Sequence, residues 1–343
     1  MTRAALCIAV LLLNQACSTL SPDRPALSRT ELLSHPAFAV PLGEEAPISA
    51  QEAFSLDEDS RSLVAALLGD SSTRLHGLFA AMTQHGLFSL DYSELSTRTV
   101  SETFRERQGN CLSFTMLFVA LARELRLDVS YRIVDVPPSW SNQTELVVIG
   151  NHVNALVKDV GGRNYVVDFN FRDFKGQYPS HAVGDDYMLA LFYANLGAEA
   201  LIRKDYELAF RYLKAAIETH APVAGGWINL GLLYTRQGYY DYAEAAYLHA
   251  LQYGASNRSA LSNLASLYRS IGNQTLADDY SERVRHYQQR NPYYHYALAR
   301  NAYEEQRFED ALRALRSAIR LKRNEPTFHV LQGQVYGALG KAD

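Results

Sequence analysis

A period of 34 residues runs through the second half of the chain, and it limits the fold more than any other feature. Aligning Y-A-N-L-G, W-I-N-L-G, L-S-N-L-A and H-Y-A-L-A sets Tyr193, Trp227, Leu261 and His295 one period apart. Ala209, Ala243, Ala277 and Ala311 follow at the same interval, as do Ala216, Ala250, Val284 and Ala318. Gly238, Gly272 and, two periods on, Gly340 stand where paired helices turn. A repeat of this length with no strand-like runs means stacked helix pairs. No pair can bury its apolar face alone, so small residues let neighbouring helices approach and bulky ones fill the space between repeats. Four units and the first helix of a fifth fit residues 186–343.

The preceding stretch, residues 51–185, is patterned differently. S-R-S-L-V-A-A-L-L-G-D and L-H-G-L-F-A-A-M carry apolar residues at helical spacing. Cys111 to Leu127 is apolar nearly all round, which predicts a helix inside a core. Four runs rich in β-branched and aromatic residues follow: V-S-Y-R-I-V-D-V, T-E-L-V-V-I-G, H-V-N-A-L-V and N-Y-V-V-D-F-N-F. A Gly-Gly turn between the last two predicts an antiparallel hairpin. Helices followed by a small antiparallel sheet make this an α+β domain, and 343 residues are enough for it and the helical array together.

The N-terminus reads M-T-R-A-A-L-C-I-A-V-L-L-L-N-Q-A-C-S. Arg3 precedes an apolar run, Ala4 to Leu13, too short to span a bilayer, and Ala16-Cys17 closes it. The pattern resembles a bacterial lipoprotein signal. That resemblance implies removal of residues 1–16, acylation of Cys17, and attachment to the cell envelope through lipid alone. Ser18 after the cysteine implies the periplasmic face of the outer membrane. Prolines crowd residues 17–50, predicting a flexible tether. Of the three cysteines, Cys7 leaves with the signal and Cys17 carries lipid, so Cys111 remains as an unpaired thiol. With 33 basic against 37 acidic residues, the chain has no electrostatic footprint for nucleic acid.

Gly109-Asn110 is suited to a tight turn and a helix cap, which puts Cys111 in the first turn of its helix, where unpaired N–H groups favour a thiolate. His152 opens one predicted strand and Asp168 lies late in the next, so a hairpin can set imidazole and carboxylate side by side. His76 and His85 fall in polar stretches, and His181 falls in the exit loop. The runs G-N-C-L-S-F-T-M-L-F-V-A-L-A-R-E-L-R-L, N-H-V-N-A-L-V and G-R-N-Y-V-V-D-F resemble the transglutaminase-like superfamily of papain-type folds, over roughly Glu102 to Phe171. The resemblance implies that Cys111 is the nucleophile, His152 the general base and acid, and Asp168 the group that holds the imidazole. It further implies that the Cys111 N–H is one oxyanion donor, with Gln108 a candidate second by proximity. Asn154 and Phe169 depart from the family, which often has an aromatic and a proline at those places.

The 34-residue units are similar to tetratricopeptide repeats, best seen from Trp227 to Ala250. Together these readings imply an envelope cysteine peptidase, amidase or acyltransferase acting on a peptide or protein through a thioester, with the repeats recruiting substrate or partner. The alternative is a non-catalytic scaffold that binds proteins in the repeat groove, where many of the 22 tyrosines lie. No metal-ligand spacing is visible, and no cofactor is expected.

Overall fold

The computed structural model describes residues 26–38, 48–65, 67, 74–88, 91–134, 152–159, 161–169, 180–254 and 257–340. The lipoprotein-like signal, Cys17 and the T-E-L-V-V-I-G run lie outside these residues. The chain is α+β, with a mostly helical body and a small antiparallel sheet. Helices α1 (Arg29–Leu32), α2 (Ala50–Phe54), α3 (Glu58–Ala65) and α4 (Arg74–Gln84) come first. Strand β1 (Asp91–Tyr92) then pairs in parallel with β2 (Gln108–Gly109), with helix α5 (Val100–Glu106) between them. Thr99 and Glu102 form a capping box at the start of α5, and Arg107 in the left-handed region ends it.

Helix α6 (Cys111–Glu124) follows directly, and its apolar residues Leu112 to Leu121 fill the centre of this half. Against it lies the sheet of β3 (Asp128–Val134), β4 (His152–Lys158), β5 (Asn164–Val167) and β6 (Ser180–Val183), in the order β5-β4-β3-β6 and antiparallel throughout. Register puts Ile133 beside Val153 and Tyr131 beside Ala155, and all four are buried in the same core as α6. The Gly-Gly turn is present. Gly162 takes φ +76°, and Asp159 and Arg163 close the hairpin with a backbone hydrogen bond of 2.9 Å. Asp168 stands one residue beyond β5 rather than inside it. His181 is a correction: it sits in β6, paired with Ile133, and not in a loop. The run S-H-A-V is short and half exposed, so it shows little alternation, yet it satisfies the open edge of β3.

From Asp185 the described residues form helices and turns only: α7 (Asp185–Ile202), α8 (Tyr206–Thr219), α9 (Ala224–Arg236), α10 (Tyr240–Gln252), α11 (Arg258–Ser270), α12 (Gln274–Arg290), α13 (Pro292–Glu304), α14 (Phe308–Leu321) and α15 (Pro326–Ala338). Ala209, Ala243, Ala277 and Ala311 are all fully buried. The period also holds in the backbone. Lys204, Gly238, Gly272, Gln306 and Gly340, each 34 residues apart, all take a positive φ at the end of a helix. Only three of the five are glycine, so the turn geometry belongs to the repeat and not to one residue type. Gly231 marks a close approach: a Cβ there would lie 2.5 Å from the Tyr247 ring of the partner helix.

Two expectations about boundaries change. Residues 26–38 are not a flexible tether, because Leu32, Leu33 and Phe38 are buried against α8, α9 and α10. Phe38 stacks on Phe210, while Arg29 donates to the Ile217 carbonyl and Tyr234 donates to that of Leu32. Three apolar side chains in a proline-rich stretch carry no period, so only the groove they fill reveals their role. Nor does the break at residues 185–186 fall on a seam. Met188 to Leu196 of α7, with Tyr212, Ala216 and Val223, share one core with Leu117, Tyr131 and Val153.

Candidate active site

The site is built at the start of α6. Gln108 and Gly109 are held by the β1–β2 ladder, with Asp91 and Ser93 donating backbone bonds to Arg107 and Gly109. Gly109 is required here, since a Cβ would fall 2.8 Å from that of Ser113. Asn110 then caps the helix, its Oδ1 accepting from the Ser113 N–H at 3.0 Å, and its Nδ2 donates to Thr97 Oγ1 at 2.8 Å. These bonds leave the N–H groups of Cys111 and Leu112 without an acceptor among the described residues. Cys111 is half-buried and makes no disulfide.

His152, at the first position of β4, meets Asp168 just past β5: Nε2 and Oδ2 are 2.7 Å apart. The imidazole is almost closed to solvent, with 4% of its side chain exposed, and the carboxylate is 21% exposed. Burial, the largest single influence, pulls the imidazole towards its neutral form. The hydrogen bonds to Asp168 and to the Cys111 thiol, together with their charges, outweigh it and push His152 up from 6.5 to about 9. With Nε2 engaged by the carboxylate, Nδ1 is the ring nitrogen left for the thiol. Asp168 is hydrogen-bonded to His152, and the Cys111 thiol is one of the groups that hold the imidazole in its charged form.

Two further contributions were not legible in the sequence. Asn154, on the same face of β4 as His152, donates Nδ2 to Asp168 Oδ2 at 3.4 Å. It stands where the resembled family often has an aromatic, and here it gives the carboxylate a second donor. Glu199 of α7 accepts from the Thr97 N–H at 2.8 Å, and Thr97 holds Asn110, so a helical-array residue braces the turn that presents Cys111. Nothing in a lone glutamate on an apolar helix signals that role. Gln108 has its amide oxygen taken by Arg98 at 2.6 Å, an arginine also paired with Glu106. Phe169, the other departure, packs on Phe114 and Phe118 of α6 and so fixes the residue after Asp168.

Among the described residues no group of histidines, cysteines and carboxylates is arranged to hold a metal ion. No family model matches the sequence, and no curated protein matches it either. The chemistry is argued from the geometry above.

Proposed function

We propose that the protein is a cysteine-dependent acyl hydrolase or acyltransferase acting on a peptide or protein through a thioester. The observation that carries this reading is the chain of contacts Asp168–His152–Cys111 at the first turn of a buried helix. Asp168 fixes the ring and its tautomer. Burial alone would make His152 a poor base, and the carboxylate reverses that, so near neutral pH the thiol proton already rests on Nδ1 when Sγ attacks the acyl carbon. The tetrahedral oxyanion that forms is met by the N–H of Cys111, aided by the positive end of α6. As it collapses, His152 returns the proton to the leaving amine and the acyl group stays on sulfur. A second nucleophile, water or an amine, gives its proton to His152, attacks the thioester and restores the thiol.

The tetratricopeptide reading of α7–α15 adds recruitment of a protein or peptide, and the Glu199–Thr97 bond supports a working connection between array and site. The lipoprotein-like signal adds an envelope location through acylated Cys17. No helix among the described residues is long and apolar enough to cross a membrane.

The test is alkylation of Cys111, followed by peptide mass spectrometry in the full chain carrying Cys17→Ser. Near neutral pH, Cys111 is expected to react faster than a simple thiol such as glutathione. His152→Ala is expected to slow the reaction. An ordinary rate that His152→Ala leaves unchanged would overturn the catalytic reading and favour the scaffold.

A further inference from the structure

The end of the helical array carries a basic cleft that the acyl-transfer reading does not use. Arg316 and Arg320 lie four residues apart on α14, Arg323 lies in the turn after it, and Gln332 faces them from α15. With Ile319 they line a cleft of about 460 Å³, in the range of sites for small ligands. Several other arginines in this half of the array pair with carboxylates. Arg285 pairs with Glu282, Arg300 with Glu304, Arg307 with Glu305 and Asp310, and Arg313 with Asp310. Arg316, Arg320 and Arg323 meet no carboxylate among the described residues.

Like charges four residues apart on a helix repel, and here a third joins them in a chain whose net charge is −4. Such an arrangement attracts anions. Arginine forks suit carboxylate and phosphate alike, but one carboxylate offers a single negative charge to three guanidiniums. A phosphate offers more oxygens and, as a monoester, nearly two charges. Gln332 adds a neutral donor, and Ile319 an apolar wall for whatever carries the phosphate.

We propose that the cleft between α14 and α15 binds a phosphate group carried by a larger molecule, held by Arg316, Arg320 and Arg323. Two sources share this chemistry, a soluble phosphorylated compound and the headgroup of an anionic lipid. The full chain carrying Cys17→Ser, so that no acyl anchor contributes, is titrated with pyrophosphate by calorimetry. It is also sedimented with vesicles of phosphatidylglycerol or of phosphatidylcholine. Saturable pyrophosphate binding is expected, weakened at least about tenfold by R316A/R320A, the scale of a lost charge-assisted contact. R285A, which removes an arginine already paired, should leave it unchanged. All of these side chains are exposed, so the fold tolerates their removal, and Arg320→Gln alone must weaken binding in the same direction. A preference for phosphatidylglycerol that R316A/R320A abolishes identifies a lipid headgroup. Pyrophosphate binding with no such preference identifies a soluble carrier. If neither probe distinguishes the parent from R316A/R320A, or R285A lowers binding equally, the cleft is only a solvated basic face and the proposal fails.

Discussion

Replacing Asp168 by asparagine separates the two things the carboxylate does for His152. The asparagine oxygen can still accept from Nε2, so the ring keeps its orientation, but the negative charge is gone. Burial then acts on His152 with less opposition, and the imidazole should titrate well below the value of about 9 that it has beside the carboxylate. The energy follows from the gap between 6.5 and about 9. At about 1.36 kcal/mol per pH unit, protonated His152 with Asp168 and Cys111, net of burial, contributes about 3 kcal/mol to the folded state. With 4% of the imidazole exposed, solvent screening removes little of this. The sign is set by the raised value. The contribution is complete below pH 6.5 and is lost as pH rises through 9, so the parent should lose stability over that window and Asp168→Asn should lose far less. NMR titration with carbon-labelled histidine, assigned through His152→Gln, reads the midpoint, and denaturant unfolding at pH 6 and pH 9.5 reads the energy. A parent midpoint at or below 6.5, or a midpoint that Asp168→Asn moves by less than about half a unit, would refute the argument.

Three other expectations follow from the packing. Gln306→Gly relieves a side chain from the left-handed region at a turn where three of five repeats already use glycine; the net gain should be about 0.5–1 kcal/mol in the midpoint of urea unfolding. A loss would mean that the Gln306 side chain has a role of its own. Gly231→Val drives a Cβ into the Tyr247 ring, so α9 and α10 must separate, at about 2–3 kcal/mol by thermal melting; an unchanged melt would show the approach to be looser than described. A fragment starting at residue 186 uncovers the face of α7 that packs on the α+β core, so it should aggregate or lose helicity beside one starting at residue 205, as circular dichroism and gel filtration can decide.

The local facts were legible in the amino-acid order. A 34-residue recurrence of small residues demands stacked helices, because close packing leaves no other place for alanine at Ala209, Ala243, Ala277 and Ala311. Glycine and asparagine before Cys111 specify a capped helix start, and two β-branched runs about a Gly-Gly turn specify the hairpin that brings His152 near Asp168. These are short-range constraints, and periodicity and turn chemistry encode them directly. Contacts between residues far apart in the chain are not encoded that way. The strap at residues 26–38 has no period, because a groove selects Leu32 and Phe38 one at a time. Glu199 looks like any helical glutamate until the fold brings it to Thr97, 102 positions away in sequence. The charge on His152 belongs to the same class. Burial and the carboxylate pull it in opposite directions, and only their tertiary arrangement decides which prevails.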